Sequence, residues 1–162
     1  MRLKDLYAIE QLQRRFALLN DAAEWEQLAL LFAEDATFAR PSSPDEIIAG
    51  RAAILQSFRK RPKSVARRHI VAPGPTRATG TDGASGMCRS LLLTFDCETE
   101  GTVTLGGFAD TFRRDPEGWR FTSRAGFTSF GPVRFKAAET LPTLWESPSL
   151  ATTASAPRHS NP

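Results

Sequence analysis

The first twenty residues carry apolar side chains at helical spacing. Ile9, Leu12, Phe16 and Leu19 follow one another at intervals of three or four residues, with charged residues between them. This pattern is typical of an amphipathic helix that lies on a core. We therefore predict a helix over 3–20.

Two more helices are expected in the next forty residues. The run that starts at Trp25 has apolar positions at i, i+3, i+4 and i+7, and it predicts a second helix that ends at Asp35. Gly50 introduces a third helix over 51–60, and Pro62 stops it.

Between and after these helices the spacing of apolar residues changes to two. Short strands are predicted at 36–40 and 47–48, and a longer strand over 64–72 ends at the Pro-Gly-Pro segment 73–75. In the longer strand, His69 shares one face with Val65, Arg67 and Val71.

The rest of the chain predicts long hairpins. One joins 76–79 to 84–96, and another joins 102–114 to 119–128 around a turn at 115–118 that contains Pro and Gly. Such hairpins indicate a strongly curved antiparallel sheet.

Helices followed by strands indicate an α+β fold with the helices on one face of the sheet. Gly106 and Gly107 lie inside a strand and predict a bulge or sharp bend, which lets the sheet curl into a cone around a cavity. We predict one domain over 1–135. The remaining segment, 136–162, is rich in Pro, Ser and Thr and is expected to be a partly disordered extension.

Composition supports a single globular domain with room for an interior pocket. The chain has 162 residues, of which 41% are hydrophobic and 24% are charged. It contains no apolar run near the roughly 20 residues of a membrane helix and no secretory signal, so we expect a cytoplasmic protein without a membrane partner. Cys88 and Cys97 match neither a disulfide scaffold nor a metal-ligand spacing.

The charge balance does not indicate a nucleic-acid partner. Basic residues exceed acidic ones by 21 to 18, a net charge of only +3. Six basic residues do cluster, and they form either a solvated helix end or a patch that attracts phosphate or an anionic substrate. They are Arg59, Lys60, Arg61, Lys63, Arg67 and Arg68.

The candidate chemistry centres on one imidazole. His159 lies in the expected tail, which leaves His69 as the single histidine of the domain and excludes a His-rich metal site. Motifs for serine hydrolases, nucleotide hydrolases and dinucleotide oxidoreductases are absent. We expect no metal and no cofactor. The reaction class that these exclusions leave is acid–base chemistry on a small molecule. The alternative for His69 is a structural role.

A largely apolar cavity is expected to bind the substrate. Asp110 is either a second acid or base there or an ion-pair partner of Arg114 or Arg120, and Arg67 is a candidate contact for the substrate. The candidate aromatic walls are Phe16, Trp25, Phe32, Phe108, Phe112, Phe121 and Phe127.

Several segments resemble SnoaL-like proteins of the nuclear transport factor 2-like superfamily. They are 15–25, 31–36, Gly50-Arg51, Arg68-His69, 106–114, 118–121 and Arg124, so the resemblance covers about 3–130. It implies a cone-shaped α+β barrel with the three N-terminal helices on the concave face of a mostly antiparallel sheet.

Within that superfamily the pattern is most similar to the scytalone dehydratase, hexachlorocyclohexane dehydrochlorinase and bile-acid dehydratase group. The resemblance implies that His69 removes a proton, that Asp21 orients it, and that Arg124 contacts a leaving group or an anionic substrate. Two tyrosines frequent in that group are replaced by Phe16 and Phe108, which cannot donate a proton to a leaving hydroxyl.

These observations predict a cofactor-independent lyase or isomerase that acts on a small aromatic or alicyclic molecule, by elimination, double-bond isomerisation or carbon–carbon cleavage. The alternatives are a polyketide-type cyclase and a non-catalytic binding or assembly module, such as a protein like the small subunit of a dioxygenase. Barrels of this kind commonly pair through the open face of the sheet, so we expect a homo-oligomer, either a dimer or a trimer.

Overall fold

The computed structural model describes residues 1–61, 66–95 and 100–136. In these ranges the chain forms three helices and six strands. They are α1 (Leu3–Asp21), α2 (Trp25–Ala29), β1 (Phe32–Arg40), β2 (Ser43–Ala49), α3 (Arg51–Arg59), β3 (Ala66–Ala78), β4 (Gly83–Phe95), β5 (Glu100–Asp115) and β6 (Gly118–Lys136).

The strands form one curved sheet in the order β2-β1-β6-β5-β4-β3. All neighbouring strands are antiparallel except β1 and β6, which run parallel. The α+β class, the mostly antiparallel curved sheet and both predicted hairpins are confirmed.

The hydrophobic core lies between the helices and the sheet, and α1 spans it. At its start, Asp5 pairs with Arg114 of β5, and at its end Asp21 bonds to His69 of β3. α2 packs on α1 and α3, while α3 covers β1 and β2. The helix that carries the candidate Asp21 is therefore anchored to the sheet at both ends.

The second helix is shorter than predicted. α2 ends at Ala29, and Phe32 begins β1 rather than continuing a helix to Asp35. The backbone N–H of Phe121 donates to the carbonyl of Leu31 over 2.9 Å, and Phe32 pairs with Phe121 across the sheet. Pairing with β6 thus decides the conformation of a segment whose apolar spacing suits both structures.

The Pro-Gly-Pro segment does not end the third strand as predicted. β3 continues to Ala78, with a shift in its pairing to β4 between Pro73 and Thr76. β3 is an edge strand of the sheet, where a proline without an N–H is tolerated.

The two adjacent glycines of β5 mark an irregularity, as predicted. The pairing of β5 with β6 shifts between Leu105 and Gly106. A Cβ atom on Gly107 would lie 2.2 Å from the carbonyl oxygen of Cys88, and one on Gly106 would lie 2.3 Å from that of Phe127. The strands on either side approach so closely that only glycine fits.

Three expectations fall wholly or partly outside the described residues. The predicted extension after residue 135 lies there from residue 137 onward, as do Cys97 and the start of the strand predicted from residue 64. Within the described ranges, no helix has the length and apolar character needed to cross a membrane.

Candidate active site

A cavity of about 630 Å³ opens where the end of α1 faces strands β3, β4, β5 and β6. This volume lies in the usual range of small-molecule sites. Its lining residues are Phe16, Asn20, Phe38, Arg40, Pro41, Ser42, Arg61, Arg67, His69, Ser90, Leu92, Thr102, Thr104, Gly106, Gly107, Phe108, Thr128, Gly131 and Pro132.

Asp21 binds His69 through both carboxylate oxygens. Oδ1 lies 2.5 Å from the ring nitrogen Nδ1, and Oδ2 accepts the backbone N–H of His69 over 2.8 Å. The His69 side chain is 10% exposed and that of Asp21 is 13% exposed, so water competes little for this pair. Two contacts from one carboxylate fix the position and the orientation of the imidazole.

The other ring nitrogen of His69, Nε2, makes no hydrogen bond within the described part of the chain. A carboxylate at Nδ1 favours the tautomer that carries its proton there, and it leaves Nε2 with a free lone pair. Because His69 lines the cavity, a bound molecule can contact this side chain.

The end of α1 fixes the position of Asp21. The backbone N–H of Glu24 donates to the carbonyl of Leu19, and that of Ala23 donates to Asn20. Ala23 adopts a left-handed conformation with φ of 58°. These are the features of a Schellman motif, which ends the helix at Asp21, where the side chain contacts His69 of β3.

Ser90 of β4 places a hydroxyl group on the cavity wall. The residue is only 7% exposed, and its Oγ has no hydrogen-bond partner among the residues that the structure describes. A buried hydroxyl without a partner is uncommon, because losing its bonds to water costs free energy. A polar atom of a bound molecule can satisfy it.

Arg124 does not line the cavity, contrary to the role that the family resemblance implied. Its side chain is 1% exposed, and Nη1 donates to Asp110 Oδ2 over 3.0 Å. The guanidinium lies over the rings of Phe16, Phe108 and Phe121 at 4.3, 3.9 and 4.5 Å. Since Phe16 and Phe108 form the cavity wall, Arg124 supports that wall from behind.

Asp110 also lies in the core rather than in the cavity, and its partner is neither Arg114 nor Arg120. Besides Arg124, it accepts a hydrogen bond of 2.9 Å from Gln13 of α1. Burial raises the pKa of Asp110, while the charge of Arg124 and the bond from Gln13 oppose this. The thiol of Cys88 lies against the same pair, and burial raises its pKa.

Only some of the other predicted contact residues line the cavity. Phe16, Arg67 and Phe108 line the cavity, whereas Trp25, Phe112 and Phe127 do not. Trp25 stacks on Phe58 at 5.5 Å between ring centroids. Phe112 packs on Phe121 in the core, and the Phe127 ring covers the bare backbone of Gly107.

The sequence did not single out Asn20, Arg40 or Ser90, which line the cavity. Asn20 directly precedes Asp21, and Ser90 shares one face of β4 with Cys88 and Leu92. Their positions in the sequence therefore contained a signal that both lie near the site. Arg61 appeared only as part of the basic cluster. Within the described residues, no group of three or more His, Cys, Asp or Glu side chains is placed to hold a metal ion.

Sequence comparison identifies one family. The profile of the SnoaL-like domain matches residues 1–125. The comparison with curated proteins gave no significant match.

Solved structures with the same fold include several bacterial proteins. A protein of Novosphingobium aromaticivorans DSM 12444, provisionally named a scytalone dehydratase, superimposes with a TM-score of 0.72 at 21% identity, over 84% of this chain and 92% of that one. A second protein of that organism, described as nuclear transport factor 2-like with a cystatin-like fold, gives 0.62 at 26% identity, over 80% and 84%. A ketosteroid isomerase-like protein of Erwinia carotovora atroseptica gives 0.69 at 11% identity, over 80% and 100%.

Proposed function

Since this chain belongs to the SnoaL-like domain family, we propose that it is a cofactor-independent lyase or isomerase whose general base is His69. The observation that carries the proposal is the pair of bonds from Asp21 to His69 at the wall of a 630 Å³ cavity. The names of the dehydratase-like and isomerase-like structures that share the fold are consistent with this class.

In the proposed reaction, Nε2 of His69 takes a proton from a carbon atom of the substrate. Asp21, held at Nδ1, stabilises the imidazolium that forms and keeps the ring in place. The electron pair of the broken C–H bond forms a new C=C bond. In an elimination, the bond to the leaving group breaks and that group departs with its electrons. In an isomerisation, the proton returns to a different carbon.

Assistance to the departing group or to a developing oxyanion falls to Ser90 in this scheme. The wall lacks a tyrosine, because Phe16 and Phe108 occupy the positions that tyrosines fill in related dehydratases. The Ser90 hydroxyl has no hydrogen-bond partner among the described residues, so it is available to donate to a bound ligand. When the leaving group is a hydroxyl, the proton held on Nε2 passes to the departing oxygen and water forms; when it is chloride, that proton passes to solvent.

The cavity wall favours an aromatic or alicyclic substrate. Phe16, Phe38 and Phe108 present aromatic rings to it, and Leu92 adds aliphatic surface. Gly106 and Gly107 add backbone atoms to the same wall. Polar contacts come from Asn20, Ser90 and the threonines at 102, 104 and 128.

The test is proton exchange with a panel of ring compounds. Each member carries a C–H bond acidified by a neighbouring carbonyl and a β-hydroxyl, a β-chloride or a β,γ double bond. We expect the purified protein, with no added cofactor, to exchange that hydrogen for deuterium in D₂O or to convert the compound to a conjugated product. Proton NMR and ultraviolet absorbance report the two events.

His69→Gln is the decisive variant in this experiment, since glutamine fills similar space without a basic nitrogen. Exchange that survives in His69→Gln would remove His69 from the role of base. Binding of panel members by the wild-type protein without any exchange would instead favour the binding-module alternative.

A second prediction concerns Ser90→Ala. We expect kcat/KM to fall about tenfold through the loss of one hydrogen bond to the reacting molecule. Stability should remain equal or increase slightly, because no described residue forms a hydrogen bond with this hydroxyl. Thr111→Ala, at an exposed position of β5, is the control. A Ser90→Ala protein that is destabilised but fully active would show a structural role instead.

A further inference from the structure

We propose that Arg61, together with Arg40 and Arg67, forms an anion subsite in the cavity wall and binds a carboxylate group of the substrate. The inference rests on the proposed function, since the bound molecule is a substrate only if the protein is an enzyme. It adds that this substrate is negatively charged. The proposed substrate is therefore an aromatic or alicyclic acid rather than a neutral ring compound.

Three separate elements bring these arginines to one cavity. Arg40 ends β1, Arg61 follows α3, and Arg67 lies on β3 two residues before His69. Residues 67 and 69 share one face of the strand. The anion subsite and the proposed base thus belong to the same wall.

Arg61 is held in place by neutral partners. Its Nη1 donates to Asn20 Oδ1 over 2.9 Å, and its guanidinium lies 4.3 Å from the ring centroid of Phe58. Asn20 directly precedes Asp21, so this contact ties the arginine to the end of α1. A guanidinium fixed in this way loses little freedom when it binds a carboxylate.

No carboxylate lies within 4 Å of Arg40 or Arg61 among the residues that the structure describes. Arg40 instead donates through Nη2 to the carbonyl of Ser57 over 2.8 Å. This differs from the surface arginines Arg59 and Arg113, which pair with Glu26 and Asp35. Arg40 and Arg61 therefore bring to the cavity two positive charges that no carboxylate of the described residues neutralises.

Placing these positive charges close together is electrostatically unfavourable. Burial, together with the nearby charges of Arg40 and Arg67, lowers the pKa of Arg61 to about 9. A bound anion would offset both effects, since it replaces lost hydration and compensates the repulsion between like charges. The arrangement is thus more favourable with an anion present than without one.

The ligand this site fits has two parts. Its anionic group contacts the arginines, and its ring lies on the apolar surface of Phe16, Phe38 and Phe108. A planar carboxylate matches the paired N–H groups of a guanidinium. A phosphate monoester has the same recognition chemistry, so the test includes one.

The test compares acid and amide probes of equal size by calorimetry. The pairs are benzoate with benzamide and 2-naphthoate with 2-naphthamide, and 2-naphthyl phosphate is the further probe. We expect at least one acid to bind about tenfold or more tightly than its amide, in line with the strength of charged hydrogen bonds, and the difference to shrink as salt is added. Tighter binding of the phosphate would support the same subsite and assign it to phosphate esters.

Variants separate this proposal from the proposed reaction. Arg61→Gln should remove the preference for the acid over the amide, whereas Arg59→Gln, outside the cavity, should keep it. His69→Gln should also keep the preference, whether or not His69 is the base. Equal affinities for acid and amide, undetectable binding of every probe, or an unchanged preference in Arg61→Gln would each overturn the anion subsite.

Discussion

Asp21→Asn is expected to lower kcat/KM by about 10²–10⁴ while the protein stays folded. An asparagine keeps the shape of the side chain and one oxygen, which can still accept the backbone N–H of His69. Its NH₂ group then faces Nδ1 and favours the tautomer with the proton on Nε2. In that tautomer Nε2 has no lone pair with which to take a proton from the substrate.

Steady-state kinetics with a compound found in the exchange screen measure this effect. Asp35→Asn is the matched control, because Asp35 is an exposed aspartate paired with Arg113 away from the cavity. His69→Gln should lose at least as much activity as Asp21→Asn, and the double variant should lose little more, since the two side chains act as a unit. Full activity in folded Asp21→Asn would disprove the dyad.

The tautomer can be observed without a substrate. Nitrogen NMR of the imidazole should show the proton on Nδ1 in the wild-type protein and a shift toward Nε2 in Asp21→Asn. If the contact between Asp21 and His69 were only structural, Asp21→Asn would lower stability, but the shift in tautomer would not be accompanied by a loss of activity. The two readouts therefore separate positioning of the base from support of the fold.

Asp110→Ala is expected to destabilise the protein by about 3–5 kcal/mol, because it leaves the Arg124 charge buried without its partner. The side chains of this pair are 0% and 1% exposed, so water cannot replace the lost carboxylate. Urea denaturation followed by tryptophan fluorescence measures the change, since Trp25 and Trp119 are both buried.

Two controls test the cause of that loss. Asp35→Ala breaks an exposed ion pair and should change stability little. In Asp110→Leu combined with Arg124→Met, both charges are replaced by apolar groups, and much of the stability should return. A loss in Asp110→Ala no larger than that in Asp35→Ala would show that the buried pair does not stabilise the fold.

Local patterns in the sequence were sufficient for most of the fold. The apolar stripe of α1 and the turn at 115–118 each depend on neighbouring residues, so their prediction required no knowledge of distant contacts. The glycines at 106 and 107 were informative because only a bend or a close approach of strands explains two such residues inside a strand. The segment after Ala29 was mispredicted because its spacing suits helix and strand alike, and β6 decided between them.

For the candidate site, the sequence determined which chemical groups are available. The domain offers His69 as its one imidazole, and the resemblance to SnoaL-like proteins implied Asp21 as the group that orients it. The tertiary structure alone decided which charged residues reach the cavity. Arg124 lies in a predicted strand and Arg61 directly follows a predicted helix. Arg124 nevertheless lies behind a wall of aromatic rings, whereas Arg61 lies on the cavity surface. That difference arises from the packing of α1 and α3 against the sheet, which brings together residues far apart in the chain.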